Sequence, residues 1–176
     1  MSKLSKDELH DLILSNPQQY HQYKEDNDYL DLSELDFSET VLEDIDFTNA
    51  DLTGSSFAES HLTGVTLVNC DLTSCNFTRA ECKECNFSES LLNGTDLSYS
   101  SLSFCDFSEA DMAGCIFQGA DLSEADFSAS ENLNACRFDE ETIWPDFERL
   151  PDDFDTSYIA DLAQIDDEDG VGNHDY

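Results

Sequence analysis

The sequence ADLTGSSFAE at residues 50–59 consists of two consecutive five-residue units, and units of the same kind recur as ADMAG at 110–114 and ADLSE at 120–124. In each unit a large apolar residue stands at the centre, a small residue stands two positions before it, and a polar residue, often Asp or Asn, immediately precedes it. Stepping by five from Leu32 to Phe127 gives twenty centres, all of them apolar. With 39% apolar residues overall, the odds of such a run by chance are roughly one in 10⁸, so the chain contains an internal repeat.

A period of five fits neither the 3.6-residue period of a helix nor the two-residue period of a plain strand. It indicates a short extended segment followed by a tight corner, and four such corners close a coil of about twenty residues. Successive coils then stack at the β-strand spacing of about 4.8 Å, with backbone hydrogen bonds between them. The centre and the small residue two positions before it point inward, and the other three positions point to water. The sequence therefore predicts an all-β solenoid.

Repeats whose centres are twenty residues apart lie above one another, and each such stack is here called a column. Column 1 begins with the repeat centred on Leu32, column 2 with Phe37, column 3 with Leu42 and column 4 with Phe47. Columns of Leu centres alternate with columns of Phe centres, so like residues should form ladders along the axis. The residues predicted to form the core ladders are Phe37, Phe57, Phe77, Phe47, Phe87, Phe107, Phe127, Leu52 and Leu72.

The units at 50–54, 110–114 and 120–124 resemble those of the pentapeptide repeat family, and the resemblance covers roughly residues 30 to 139. It implies a right-handed quadrilateral parallel β-helix. The best-understood members of the family, those of the quinolone-resistance type, occupy the DNA saddle of gyrase and are usually dimers joined at their C-terminal ends. The resemblance therefore also implies a gyrase or other topoisomerase as the partner, and a homodimer through the C-terminal segment.

A solenoid exposes unpaired strands at both ends and is expected to need caps. Ser5 and Glu8 have the spacing of a capping box, which predicts a helix from that point and a helical cap over residues 1–29. The β-helix is predicted over residues 30–139 and a C-terminal cap over 140–151, with Trp144 covering the last coil.

The register slips near the C-terminal end, because the step from Phe127 to Leu133 is six residues instead of five. We expect one inserted residue within 128–132, in the form of a bulge. Residues 152–176 contain no Lys or Arg and are predicted to be an acidic tail, partly disordered, with a short amphipathic helix at 158–165.

The cysteines are the residues whose chemistry first suggests a site, because Cys70, Cys75, Cys82 and Cys85 are close in sequence and end in a CxxC. The repeat register places all four on inward positions, where Cys is a good small apolar residue. We therefore predict buried thiols, with no metal, no cofactor and no catalytic residues. Of the four His, only His61 lies in the repeats, on an outward position, and a solvated side chain is the simpler interpretation.

The charge of the chain excludes some functions and suggests another. It contains 41 acidic residues against 7 Lys and Arg, a formal net charge of -34, so it lacks the basic surface that direct binding to nucleic acid or to anionic membranes needs. Asp31, Asp51, Asp71 and Asp111 precede the centres of column 1, with Leu91 interrupting the series. These aspartates are either solubilising residues of the repeat or a surface that presents the charge pattern of DNA to a basic protein.

Two functions are accordingly predicted for this non-enzymatic chain. The first is a protein-binding module that acts as a DNA mimic towards a DNA-binding protein such as a type II topoisomerase, with the four aspartates as partner-binding residues. The alternative is a structural scaffold that recruits a partner that does not bind DNA. The sequence shows no signal peptide and no apolar run near the length of a membrane span, so a cytoplasmic location with reduced thiols is expected.

Overall fold

The computed structural model describes residues 3–157. Two helices come first, followed by a long series of short extended segments and tight turns. The elements are α1 (Lys6–Ser15), α2 (Pro17–Glu25), β1 (Val41–Glu43), β2 (His61–Thr63), β3 (Glu81–Lys83) and two 3₁₀ turns at Leu133–Ala135 and Phe147–Arg149.

Parallel β-bridges join residues that are twenty positions apart, from the Asp31–Asp51 bridge to the Asp111–Glu131 bridge. In column 3 the bridges lengthen into the parallel sheet β1-β2-β3, in which Leu42 pairs with Leu62. Each coil therefore contains twenty residues, as the repeat predicted, and the backbone hydrogen bonds run between coils. The fold is a parallel β-helix.

The core contains two residues of every five, the centre of each repeat and the residue two positions before it. All nine residues of the predicted ladders have 0% of their surface exposed. Phe57 stacks on Phe77 with 4.7 Å between ring centroids, and Phe87 stacks on Phe107 at the same distance. Phe77 also meets Phe87 edge to face at 5.7 Å, so the rings of columns 2 and 4 touch across the interior of the coil. Aromatic rings from opposite sides of the coil therefore pack against one another in the core.

The corners share one backbone feature, a left-handed residue. The second residue after every centre, from Glu34 to Ala129, has a positive φ between 53° and 76°. In most repeats the carbonyl of the centre accepts the N–H three residues later, as in the 2.9 Å bond from the Ala50 N–H to the Phe47 carbonyl. This combination is a type II turn, which favours Gly at its third position, yet only five of the twenty corners have Gly there.

The two helices pack on the first coils. Ser5 and Glu8 form both hydrogen bonds of the capping box at the start of α1. Leu9 and Ile13 are buried against the solenoid, and the hydroxyl of buried Tyr20 in α2 donates to the Asp46 carbonyl at 2.9 Å. The helices therefore lie over the end of the β-helix, where backbone groups of the first coil would otherwise face water.

At the C-terminal end the inserted residue is Asn132, which adopts a left-handed φ of 61° and leads into the first 3₁₀ turn. The Asp111–Glu131 bridge keeps the spacing of twenty, whereas the next bridge, Ile116–Arg137, has a spacing of 21. The expected bulge is thus a left-handed residue followed by a 3₁₀ turn, and the Asn132 amide is fixed by a 2.7 Å hydrogen bond to the Asp111 carboxylate.

Bridging continues past the expected boundary at residue 139, because Asp121 pairs with Ile143 and the Phe127 N–H donates to the Arg149 carbonyl. Trp144 is half-buried and lies 5.2 Å from Phe154, ring centre to ring centre. Phe154 is itself buried, so the first part of the predicted tail packs on the end of the solenoid. The amphipathic helix expected at 158–165 and the rest of the tail lie outside the described residues.

Candidate partner-binding surface

The four aspartates predicted to bind a partner lie in one outward row of column 1. Bridges join Asp31 to Asp51, Asp51 to Asp71, Asp71 to Leu91 and Leu91 to Asp111. None of the four aspartates is buried, so the row is open to solvent on one face of the solenoid.

Each of these aspartates also has a structural role that the sequence reasoning missed. The Oδ1 of Asp71 accepts the N–H of Thr73 at 3.0 Å, and Asp111 accepts the N–H of Ala113 at 3.2 Å. The same bond recurs wherever Asp or Asn precedes a centre, as in the 2.9 Å bond from the Thr78 N–H to Asn76. This is an Asx turn, which satisfies a backbone donor at the corner. The sequence signal for this turn is the preference for Asp or Asn immediately before each centre.

Two of the four carboxylates have further partners near the N-terminal end. Asp31 forms an ion pair with Lys6 at 2.8 Å, and the hydrogen bond from Lys6 holds the pKa of Asp31 below its usual value. Asp51 accepts the Tyr29 hydroxyl at 3.3 Å. Neither Asp71 nor Asp111 forms an ion pair with any residue among 3–157. Beyond its Asx turn, Asp111 accepts the uncharged Asn132 amide at 2.7 Å, so both carboxylates remain available to an external cation.

Acidic residues surround the solenoid on every side. Between residues 31 and 130 each of the four columns carries four to six of them, whereas the only Lys and Arg are Arg79 in column 2 and Lys83 in column 3. Columns 1 and 4, which adjoin one another, together carry ten acidic residues and no Lys or Arg over this range. Lys6 and Lys24 of the helices pair with Asp31 and Asp46 at the N-terminal end of that side, so its uninterrupted negative charge lies in the later coils.

The cysteines are mostly buried residues of the hydrophobic core. Six are buried, and Cys136 is half-buried. The Cys70 thiol donates to the Phe47 carbonyl and the Cys75 thiol to the Leu52 carbonyl, each at 3.0 Å. Burial raises the pKa of Cys70 and of Cys75 to about 12, which keeps both thiols protonated. Within residues 3–157, no three His, Cys, Asp or Glu side chains are grouped so that they could hold a metal ion.

His61 lies on an outward position of β2, and its Nδ1 is 2.9 Å from Glu81 Oε2 in the next coil. More than half of each side chain is exposed, so the pair is open to water. The surface of the described region thus offers mainly charged side chains and a few exposed apolar ones.

None of the helices formed by residues 3–157 is long and apolar enough to cross a membrane.

Comparison with protein families gives one match, to pentapeptide repeats, in eight copies that cover residues 31–67, 55–94 and 90–128. Proteins with these repeats fold as right-handed β-helices, in agreement with the parallel bridges described above. A comparison with curated protein sequences gave no match.

Solved structures with a similar fold include three pentapeptide repeat proteins. HetL from the cyanobacterium Nostoc, which is involved in the regulation of heterocyst differentiation, is 23% identical over 66% of this chain and 70% of its own, with a TM-score of 0.35. The protein alr5209, also from Nostoc, is 27% identical over 58% of this chain and 79% of its own, with a TM-score of 0.41. QnrB1, a plasmid-mediated fluoroquinolone resistance protein, is 22% identical over 78% of this chain and 72% of its own, with a TM-score of 0.34.

Proposed function

Because the chain belongs to the pentapeptide repeat family, whose members are in general structural or binding proteins, we propose that it is a non-enzymatic protein-binding module. Its acidic solenoid takes the place of duplex DNA on a DNA-binding protein, for which a type II topoisomerase such as gyrase is the first candidate. The aspartates of column 1, above all Asp71 and Asp111, contact the basic surface of that protein. The chain itself binds neither nucleic acid nor membrane.

The observation that carries the proposal is the density of charge along the axis. Residues 31–130 contain 20 acidic residues and 2 Lys or Arg, a net charge of -18. These hundred residues form five coils, which at the β spacing extend about 24 Å. The solenoid thus carries about one net negative charge per 1.3 Å, close to the value of about 1.7 Å per charge for duplex DNA. A protein surface that binds duplex DNA would encounter a similar density of negative charge along the axis of this solenoid.

A supercoiling assay with purified DNA gyrase, together with a binding measurement, tests this function. We expect inhibition that is relieved by added duplex DNA and by salt, because the two polyanions compete for one basic surface. The double variant Asp71→Asn, Asp111→Asn removes two charges but keeps the Asx turns, as Asn76 and Asn86 show. It should fold normally and bind more weakly. Absence of both binding and inhibition at micromolar protein would exclude gyrase as the partner.

The alternative function, a scaffold for a partner that does not bind DNA, has support from a different face. Tyr99 and Phe104 are 51% and 64% exposed, and they flank the column 3 segment of one coil. Exposed aromatic side chains are enriched at protein–protein contacts. If proteins captured by the chain from host lysate include no nucleic-acid binders, the scaffold is the better description.

We also propose a quadrilateral cross-section for the β-helix and a cap at each of its ends. Four corners in every coil of twenty residues support a quadrilateral cross-section. The contacts of α1 and α2 with the first coils, and of Trp144 with the last, support their roles as caps. Removal of residues 1–29 should then expose the first coil and promote aggregation, which light scattering would detect.

The proposal also includes a cytoplasmic location, which seven free thiols favour. A homodimer through the C-terminal segment is supported by Ile143 and Phe147, which are 54% and 63% exposed at that end. Sedimentation velocity of the full chain tests the dimer, and a monomer at all concentrations would exclude it.

A further inference from the structure

Leu91 departs from the rule that its own row follows. The neighbouring positions in the row are Asp71 and Asp111, and both accept the N–H two residues later. A leucine has no oxygen for the equivalent N–H of Asn93, and 45% of its surface is exposed to water. The residue thus gives up a local hydrogen bond and places an apolar side chain in the middle of an acidic row.

Leu91 lies at the edge of an open groove of about 330 Å³ between columns 4 and 1. Tyr29, which is 60% exposed, lines the groove from the N-terminal side, and Asp51 and Asp71 line it along the row. Asn69 lies on the column 4 side and donates to the Asn49 side chain at 2.8 Å. The groove therefore combines two exposed apolar groups with carboxylates, on the side of the solenoid that has no Lys or Arg between residues 31 and 130.

The spacing along the row matches that of an α-helix. Asp71, Leu91 and Asp111 follow one another at the coil spacing of about 4.8 Å. Residues i−4 and i+4 of an α-helix are about 12 Å apart along its axis, against about 9.6 Å between Asp71 and Asp111 over two coils, a difference that the long side chains of Lys or Arg can span. A helix lying along the axis would present residues i−4, i and i+4 to these three side chains.

We infer that this groove, together with Asp111 one coil beyond it in the row, is a docking site for a basic helix of the partner, which places an apolar residue on Leu91 and a Lys or Arg one turn away on each side. The Lys or Arg residues pair with Asp71 and Asp111, and the apolar residue packs on Leu91. The inference rests on the proposed function, since it specifies which part of the acidic surface is used. The negative charge of the row favours a basic partner. The contact with Leu91 would make binding specific, beyond the general electrostatic attraction of the acidic surface.

Three synthetic peptides of about 16 residues, each labelled with a fluorophore, serve as probes. The first has an alanine-based helix with Leu at the centre and Lys four residues before and after it. The second replaces the central Leu by Ala, and the third moves the Lys residues to two before and two after the Leu, away from that face of the helix. Fluorescence anisotropy at about 0.15 M salt gives their affinities. We expect the first peptide to bind the full chain roughly fivefold more tightly than either of the others.

Two variants of the chain make the test specific. Leu91→Asn leaves the charge unchanged and restores the Asx turn, so it should fold at least as well as the wild type and lose the preference for the central Leu. Ile116→Asn is the matched control, because Ile116 is a half-buried apolar residue at the same repeat position in column 2. It should keep the preference. Thermal unfolding of both variants verifies that they are folded.

The outcomes separate the two proposals. Equal affinity for the three peptides, or equal effects of the two variants, would overturn the docking site while leaving the acidic surface as a general binder of basic proteins. If none of the peptides binds even at low salt, both the docking site and the proposed function fail.

Discussion

At the scale of single residues, the corners decide how much strain the fold contains. Twenty consecutive corners have a positive φ, and most of them are formed by residues with a side chain. A side chain in this left-handed conformation costs about 1–2 kcal/mol, because Cβ crowds the carbonyl oxygen. Phe104, with φ at 63°, and Tyr99, with φ at 59°, are the bulkiest cases. The solenoid tolerates the strain because most of these corner residues donate their N–H to a carbonyl of the next coil, as Phe104 does to Ser123 at 3.3 Å.

The variant Phe104→Gly should therefore stabilise the protein. Glycine adopts a positive φ without steric cost, and Phe104 is 64% exposed, so little packing is lost. We expect the free energy of unfolding to rise by about 1 kcal/mol in urea denaturation. The control is Ser103→Gly at the preceding residue, where φ is not positive and Gly should lower stability. A loss of stability in Phe104→Gly would show that the corner is not strained.

The variant Phe87→Ala should have the opposite effect. Phe87 is fully buried, stacks on Phe107 and meets Phe77 edge to face. Its truncation leaves a cavity in an aromatic ladder, so we expect a loss of more than about 3 kcal/mol in chemical denaturation. The exposed Phe104→Ala is the matched control and should change stability little. A loss below about 1 kcal/mol for Phe87→Ala would contradict its role as a core rung.

The sequence predicts the core residues far better than the corners and the surface. The ladder of Phe57 and Phe77 follows from a strict apolar period, because burial selects strongly for side-chain polarity. The left-handed corners leave a weaker trace: all five Gly of residues 31–130 lie at this position, yet Glu34, Asn49 and Tyr99 adopt the same φ. The aspartates of the column 1 row are visible in the sequence, but the Asx turns that they form depend on backbone geometry.

At the scale of elements, the junction between α1 and the first coil combines packing with one ion pair. Leu9 and Ile13 are buried against the solenoid, and Lys6 lies 2.8 Å from Asp31. The ring of His10 lies 4.8 Å from that of Phe37, the first aromatic residue of column 2. The helix thus continues the core of the β-helix by one layer. Its sequence signal was the capping box, which fixes where α1 begins but not what it contacts.

The Lys6–Asp31 pair should make this junction sensitive to acid. The pKa of Asp31 is lowered in the folded state, chiefly by Lys6, so the stabilisation is present above the unfolded pKa of about 3.9 and is lost as the pH falls through the folded pKa. Asp31→Asn keeps an acceptor for the Ser33 N–H but removes the ion pair. We expect it to be less stable than the wild type at pH 7, with the difference vanishing near pH 2. Urea midpoints followed by circular dichroism measure both.

Asp71→Asn is the control for that experiment, because Asp71 forms no ion pair within residues 3–157. Its effect on the urea midpoint should be smaller at pH 7. An Asp31→Asn variant that differs from the wild type equally at both pH values would show that the ion pair is not the cause.

At the scale of the whole molecule, the charge opposes folding while the repeat makes it tolerable. The net charge of -34 on 176 residues brings many carboxylates closer together in the folded state than in the unfolded chain. The period of five sends these groups outward over an interior of apolar side chains and a few hydrogen-bonded Ser and Thr, so no carboxylate among residues 3–157 is buried in the core. The remaining cost is mutual repulsion through water, which dissolved salt screens.

Added salt should therefore raise the melting temperature. Between about 0.01 and 0.5 M sodium chloride the screening length falls from about 30 Å to a few ångströms, which weakens repulsion around the whole solenoid. The five ion pairs formed within residues 3–157 weaken too, but most of their side chains are exposed. We expect an increase of about 5 °C, measured by circular dichroism. Potassium chloride should act equally, and a decrease with salt would show that the ion pairs dominate.

The spacing of the bridges has a consequence for how the length of the chain can change. A duplication or loss of twenty residues, such as 71–90, would add or remove one layer and leave each later residue above its former kind of neighbour. A change of five residues would move every later repeat into the adjacent column, so that most later leucines would lie above phenylalanines and the stacking of aromatic rings across that point would be lost. The fold should therefore accommodate insertions and deletions of twenty residues, which are whole coils, far more readily than those of five residues, which are single repeats.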